Sequence, residues 1–391
     1  MHTAALARSI PFFPYPQVFL SEEDDLVSIF RDVGRRGAFI LQRDVAHFEE
    51  NLARFLDVRH AIGVANATDG LLIALRAAWP ERESVEPGSE VIFSSHTMVA
   101  TAAAIHFAGA TPVPVECGAD HLIDPAAVEA AITPRTRAIL PTQLNGRTAD
   151  MDALEGICAR HGLLLIEDAA QALGARFRGR CAGTFGAAAA ISFFPAKLLG
   201  CLGDGGAVIT GDSEIAARAA ALHDHGRGAD GEIRGWGLNS RLDNLQAAIL
   251  DYRLQKYGAA IERRRALAQA YRDALADVDE IVLPPGPGGD PDHFDVYQNY
   301  EIEALGRDEL REFLAARGIG TLLPWGGKAV HQWEALGLRT ARLPRTDDLF
   351  ERVLLLPMHV WLAEEEIADI AGAIKDFYRG RVFGGRNRKE R

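Results

Sequence analysis

The chain has 391 residues, 48% hydrophobic and 25% charged, with a formal net charge of −12 at pH 7. At roughly 100–200 residues per domain this allows two or three domains, or one large domain with an appendage, and the near-average composition excludes disordered, collagen-like and low-complexity chains. The acidic balance argues against a general nucleic-acid binder, which needs clustered Lys and Arg for phosphate contacts; the main basic cluster, the tail from Arg379 to Arg391, reads as a solvated terminus.

In chain order, Ser21-Glu22-Glu23-Asp24 reads as a helix N-cap with early acids, followed by Leu26, Ile29, Phe30 and Val33 at helical spacing. Val45, Phe48, Leu52, Phe55 and Leu56 predict a second amphipathic helix. Short apolar runs recur at 61–65, 90–93, 111–115, 137–141, 163–167 and 188–193. Helical stretches over 69–79, 98–107, 124–132 and 151–160 separate most of them. This alternation predicts a mostly parallel, doubly wound sheet, which binds ligands at the carboxyl ends of its strands. A long helix is predicted over 242–257, with Leu242, Leu245, Ile249 and Tyr252 on one face, and helical sequence continues to about Leu275. Pro284-Pro285-Gly286-Pro287-Gly288-Gly289 reads as a loop. The remainder, with helices over 308–316 and 363–378, predicts a smaller α+β domain. The expected division is a large α/β domain over 1–257, whose first ~20 residues can pack elsewhere, and a small C-terminal domain over 258–391.

No apolar run approaches the ~18–20 residues that span a bilayer, and Met1–Leu6 lacks the basic start of a secretory signal. Cys117, Cys158, Cys181 and Cys201 are widely spaced without a CxxC pair, which fits neither a disulfide framework nor a structural zinc site and points to a reducing cytoplasm. His223-Asp224-His225 comes nearest to a metal cluster but lacks further ligands nearby. It reads as polar decoration of a helix end, and no metal is expected.

Four features fall at predicted strand ends. Asn66-Ala67-Thr68-Asp69-Gly70 is a small-residue turn where backbone N–H groups and the Thr68 hydroxyl can approach an anion at a helix N-terminus; Thr68 as a plain N-cap is the simpler reading. The apolar run ending in Glu167-Asp168 delivers two carboxylates, one of which should face a cleft. Asp168 and Gln171, three apart, can meet one ligand, or Asp168 can merely cap the next turn. Lys197, in Ser192-Phe193-Phe194-Pro195-Ala196-Lys197, sits among apolar and glycine residues, with Gly203-Asp204-Gly205-Gly206 following. Partial burial lowers an amine's pKa and favours a nucleophilic, Schiff-base-forming lysine; a packed stem with a solvated head is the alternative. The choice is narrow, because the only lysines are Lys197, Lys256, Lys328, Lys375 and Lys389. Finally, Asn239 or Ser240 reads as the N-cap of the predicted long helix.

Taken together, an amine for a carbonyl cofactor, a carboxylate for its ring nitrogen and an anion cradle describe pyridoxal 5'-phosphate (PLP). The interval of 29 residues from Asp168 to Lys197 suits two strand ends of one sheet.

The ordered set Glu167-Asp168-Ala169-Ala170-Gln171, Ser192 to Lys197 and Gly203-Asp204-Gly205-Gly206-Ala207, with Asn239-Ser240-Arg241 and Ala149-Asp150-Met151-Asp152 in support, resembles the DegT-type family of PLP-dependent sugar aminotransferases. The likeness runs from about Phe39 to Leu356-Pro357-Met358-His359. It implies the fold type I aminotransferase architecture, with a large doubly wound, mostly parallel sheet domain and a smaller C-terminal α+β domain. It further implies that Lys197 forms the Schiff base and shuttles the proton, that Asp168 pairs with the pyridinium nitrogen, and that Gln171 sits on the phenolic-oxygen side. Ala67 (through its backbone), Thr68 and Ser192 would hold the phosphate. In this family the residue matching Asn239 reaches the phosphate of the neighbouring subunit, so a homodimer with composite sites is implied.

Departures fall around the implied substrate site. Met98 stands where the family usually places an aromatic ring against the cofactor; a thioether still contributes about 0.3–1.5 kcal/mol against an aromatic face. His96 would substitute for that stack or belong to the cleft wall. Gln143-Leu144-Asn145-Gly146 and Leu323-Pro324-Trp325-Gly326-Gly327-Lys328 replace family segments expected to line the sugar site. The implied activity is transamination of a keto sugar, most readily a nucleotide-linked one, with L-glutamate as donor, giving an amino sugar for glycan or secondary-metabolite biosynthesis. A keto-cyclitol or a sugar phosphate without a nucleotide, met by Lys328, is the alternative acceptor. A non-catalytic binding role is the remote alternative, and a pure scaffold would need none of the lysine, carboxylate and cradle.

Overall fold

The computed structural model describes residues 9–79, 85–338 and 341–381; the expectations for Met1–Leu6 and for the tail beyond Arg381 lie outside them. A seven-stranded sheet runs in the order His60–Val64, Gly206–Thr210, Ala188–Ser192, Leu164–Asp168, Thr136–Leu140, Glu90–Ser94, Thr111–Val115. All neighbours are parallel except those of Gly206–Thr210, which pairs antiparallel on both sides. That strand follows a glycine-rich turn and carries no sequence alternation of its own, so the apolar runs alone did not reveal it.

Both faces of the sheet are covered, as a parallel sheet requires. Successive side chains point to opposite faces. Ala188 and Ala190 join Val91, Phe93, Leu140 and Ile166 in one core, under the helices Ala67–Ala78, Val99–Ala108 and Ser213–His223. Ala189 and Ile191 join Phe48, Leu52, Leu56 and Leu250 on the other face. The helix Arg43–Leu56 buries the expected Val45, Phe48, Leu52 and Leu56.

Three local expectations are corrected. Ser21 ends the short helix Tyr15–Leu20 rather than capping the next one, Glu23–Arg36, and its hydroxyl donates to the Val18 carbonyl at 3.1 Å. The predicted long helix is two, Asn244–Leu254 and Tyr257–Leu275, with a break between them. The first buries Asn244, Ala247, Ile249 and Leu250, because its inward face follows Asn244, whose amide accepts from the N–H groups of Asp44 and Val45. Neither Asn239 nor Ser240 caps it, the N-cap position being Asp243.

The C-terminal domain is a three-stranded antiparallel sheet, Ile281–Val282, Tyr300–Ala304 and Val353–Leu356, packed on the helices Tyr257–Leu275, Arg307–Ala315 and Glu364–Tyr378. Helix Tyr257–Leu275 bridges the domains: Tyr257 and Ile261 pack with the large core, and Leu267, Tyr271 and Leu275 with the small one. The N-terminal segment crosses over as well, with Ile10 bridged to Ile319 inside the small-domain core. Among the described residues, no helix is long and apolar enough to cross a membrane.

Candidate active site

Strand register brings the pieces together. Val64 and Ser192 are both cross-strand partners of Gly206, so the turn after Val64, the start of Gly206–Thr210 and the end of Ala188–Ser192 share one sheet edge. Asp168, opposite Ala190, lies at that edge one strand further on.

The anion cradle is built at the turn. Asn66 caps helix Ala67–Ala78, its Oδ1 accepting from the Asp69 N–H at 2.8 Å. This corrects the simple capping reading for Thr68, which lies half-buried in the first helical turn. The N–H groups of Ala67 and Thr68 are thereby left at a helix N-terminus, where an anion is favoured. A Cβ on Gly206 would stand 2.7 Å from the Asn66 carbonyl carbon and 2.8 Å from the Ala67 nitrogen, so only glycine lets the strand press against this turn. Ser192 is half-buried, and its Oγ accepts from the Phe194 N–H at 3.3 Å.

The two carboxylates of the next strand end divide between the faces. Glu167 points away from the cleft and ties down a turn, accepting from the N–H groups of Gly183, Phe185 and Gly186 and from Gln143 Nε2. Gln143 is therefore a buried structural residue and not part of a sugar site. Asp168 accepts from the Thr101 hydroxyl at 2.7 Å and from the Ala170 N–H at 3.1 Å. Its Oδ1 thus caps the following turn, as one reading of the sequence has it. Burial pushes its pKa up, against Thr101, Ala170 and the nearby Lys197 charge. Thr101 in turn meets Thr97, whose hydroxyl also meets Thr142.

Lys197 remains partly exposed as a residue, yet burial lowers the pKa of its amine from 10.5 to about 8, with Asp168 pulling the other way. Its loop is gripped from the small domain by Gln298, which donates to the Ala196 carbonyl at 2.9 Å and accepts from the Leu198 N–H at 2.7 Å. Gln171 is buried and accepts from the Asn145 N–H at 2.9 Å, with Asn299 Nδ2 donating to Asn145 Oδ1 at 2.8 Å. Asn145 is held in the left-handed region (φ 55°). A Cβ on the following Gly146 would come within 2.5 Å of the Tyr297 nitrogen.

The remaining candidates are more peripheral. Met98 is 47% exposed at the start of helix Val99–Ala108, its sulfur accepting from the Ala100 N–H. Asn239 is exposed, while the neighbouring Ser240 is buried and accepts from the Ala65 N–H at 3.2 Å, beside the cradle. His96 forms no stacking surface. It is buried edge-on against Phe350, with ring centres 4.9 Å apart. Lys328 is exposed, its amine 4.9 Å from the centre of the Trp333 ring. Sequence reasoning missed Thr101 and Gln298, and no local signal marks either, since their partners lie 67 and about 100 residues away.

These residues fit PLP on two structural grounds. Asp168 is a buried carboxylate whose charge is undercompensated, and a protonated ring nitrogen would supply the missing cation. Gly206 preserves a cradle that any side chain would fill. Fold and site define the class, a PLP-dependent aminotransferase of fold type I.

Comparison with known proteins agrees. The model of the DegT/DnrJ/EryC1/StrS aminotransferase family matches residues 21–375. A dTDP-3-amino-3,4,6-trideoxy-alpha-D-glucose transaminase from Streptomyces venezuelae is 40% identical over 385 residues, 96% of this chain and 98% of that protein. A UDP-2-acetamido-2-deoxy-3-oxo-D-glucuronate aminotransferase from Pseudomonas aeruginosa is 36% identical over 353 residues, 90% and 96% of the two chains. The crystal structure of S. venezuelae DesV in complex with a ketimine intermediate is similar with a TM-score of 0.90 at 40% identity, covering 96% of this chain and 99% of that one. The chain belongs to the DegT/DnrJ/EryC1/StrS aminotransferase family.

Proposed function

We propose that this enzyme transfers an amino group from L-glutamate to the ketone of a nucleotide-linked keto-deoxysugar, acting as a homodimer with shared active sites. One observation carries the reading: buried Asp168, oriented by the Thr101 hydroxyl and the Ala170 N–H, lies with the glycine-lined anion cradle at the carboxyl edge of a doubly wound sheet, where burial lowers the pKa of Lys197. The likeness to transaminases named for dTDP- and UDP-linked sugars supports the acceptor class.

PLP, when bound, supplies an electron sink that makes the proton beside the transferred nitrogen removable. In this reading Lys197 Nζ would hold the cofactor. Its amine, when free, would take the α-proton of glutamate as general base and return it one carbon away as general acid; with the sugar ketone it would run the same transfer in reverse. Asp168, its oxygens oriented by Thr101 and the Ala170 N–H, would meet the ring nitrogen and favour its protonated form. Gln171 would meet the phenolic-oxygen side, the Ala67 backbone, Thr68 and Ser192 would take the phosphate, and Met98 would cover the ring. Asn239 would serve the neighbouring subunit's phosphate. Apolar exposure supports the dimer: Phe39, Ile40, Leu41, Ile233 and Trp236 all face outward, Trp236 at 92%. The domain boundary is placed at the start of helix Tyr257–Leu275, giving 1–257 and 258–391.

The test pairs glutamate with a dTDP- or UDP-linked keto sugar and with the same sugar lacking the nucleotide, following 2-oxoglutarate release and the mass of the amino sugar. Turnover is expected with the nucleotide-linked acceptor and at least roughly tenfold less without it, because binding energy from the remote group promotes the chemical step. Equal turnover of the free sugar would move the assignment to a non-nucleotide acceptor. Failure to release 2-oxoglutarate would remove glutamate as donor.

A further inference from the structure

Away from the Lys197 cleft, three metal-ligating side chains converge between the domains. His96 follows the strand Glu90–Ser94 and His121 lies in the loop beyond Thr111–Val115, both in the large domain, whereas Glu301 sits on the small-domain strand Tyr300–Ala304. One ligand atom from each lies within 4.8 Å of the others. His96 and Glu301 are 1% and 3% exposed. His96 Nδ1 has no hydrogen-bond partner, and His96 Nε2 and Glu301 Oε2, 3.4 Å apart, have none beyond each other. Burying three such atoms together with so few partners is costly unless something satisfies them.

We propose that His96, His121 and Glu301 form a divalent-cation site of the zinc type that ties the large domain to the small one. Bonds of about 2.0–2.2 Å in a tetrahedron separate neighbouring ligand atoms by roughly 3.3–3.6 Å. His96 Nε2 stands 3.4 Å from Glu301 Oε2, matching that edge. His121 directs Nδ1 to Glu301, 2.7 Å from its Oε1, while its Nε2 lies 3.3 Å from Glu303 Oε1. A metal-bound histidine characteristically donates its other N–H to a carboxylate, which fixes tautomer and ring plane. Glu303 supplies that carboxylate and is itself held by Arg352, whose Nε donates to Oε2 at 2.9 Å. His121 also keeps a left-handed backbone, φ 68°, an unusual conformation for a non-glycine residue. A cavity of about 70 Å³, with Asp120, His121, Asn145, Arg147, Asp295 and Glu301 in its wall, opens beside the cluster, Arg147 there being paired with Asp295 at 2.7 Å. Two histidines and one glutamate favour zinc over calcium or magnesium, which prefer all-oxygen sites. The alternative is a metal-free cluster in which a doubly protonated His121 bridges Glu301 and Glu303 while His96 Nε2 pairs with Glu301 Oε2 at 3.4 Å.

Untagged, PLP-loaded enzyme is stripped with a chelator, re-equilibrated with zinc, desalted and assayed for metal by mass spectrometry. About one zinc per chain is expected to remain, and the melting temperature should rise with zinc concentration and fall again with chelator. Cobalt in place of zinc should give the visible absorption bands of a tetrahedral site. His96→Phe, which keeps a ring against Phe350, and Glu301→Gln should each lower zinc affinity at least roughly 100-fold while PLP absorbance shows the cofactor still bound. Should either variant fail to fold, wild-type stoichiometry and the cobalt spectrum decide alone. Wild-type enzyme that retains no zinc and shows no thermal response overturns the site, as does zinc binding unchanged in both variants.

Discussion

An amine with pKa near 8 is neutral in about a tenth of molecules at pH 7, roughly 300 times the fraction at the ordinary value. Cofactor capture by stripped enzyme should therefore accelerate from pH 6.5 to 9 with a midpoint near 8, read as growth of the Schiff-base absorbance; a midpoint above 10 would contradict the burial argument. The same shift fixes a sign for stability. Between about pH 8 and 10.5 the unfolded chain carries more protons on this lysine than the folded one, so its contribution to apoenzyme stability grows as pH rises through that window. Lys197→Ala should abolish both the absorbance and transamination, with no pyridoxyl tag after borohydride reduction. Asp168→Ala should retain the absorbance and lose about 10²–10³ in kcat, as when a preorganised electrostatic partner is removed. Thr101→Val removes one donor to that carboxylate and should cost about 10–100-fold, the equivalent of ~1.5–3 kcal/mol for a hydrogen bond to a charged group.

At the scale of elements, the cradle depends on a strand, a turn and a helix meeting without side-chain bulk. Gly206→Ala forces a Cβ into the Asn66–Ala67 backbone. Overpacking of this kind costs about 1–3 kcal/mol, so calorimetry should show a lower melting temperature, and PLP should wash out more readily on dialysis. Full cofactor retention at unchanged stability would show that the turn is looser than its geometry indicates. Strands and helices here were largely legible as apolar runs alternating with helical spacing. The misreadings share a cause. Ser21 and Asn239 look like N-caps because capping is encoded in residue type, whereas the true helix start depends on which face packs; Asn244 is drawn inward by the Asp44 and Val45 amides some 200 residues away. Gly206–Thr210 escaped notice because an antiparallel insertion has no signature in a pattern of parallel strands.

For the whole molecule, the proposed shared active site would make activity a property of pairs. Lys197→Ala and Asn239→Ala, mixed and allowed to exchange subunits, should recover about a quarter of wild-type activity, since half the pairs are hybrids with one intact site each. No recovery, with hybrids shown to form, would place Asn239 in its own subunit's site. Contact between the domains is equally a whole-molecule matter: Gln298 reaches across to the Lys197 loop.

Taken alone, the residue order pointed to PLP, because Asp168 and Lys197 each follow a short apolar run and the cradle turn consists of small residues, and the resemblance of the ordered motifs to the DegT-type family implied the reaction class. Only the tertiary structure decided that Thr101 would orient Asp168, that Gln298 would hold the lysine loop, that Gln143 would serve Glu167 instead of a sugar, and that His96 would meet Glu301. Such partners lie tens to hundreds of residues apart, and strand register and domain docking choose among them. Periodicity within a segment records which face is buried, and carries no address for what that face will touch.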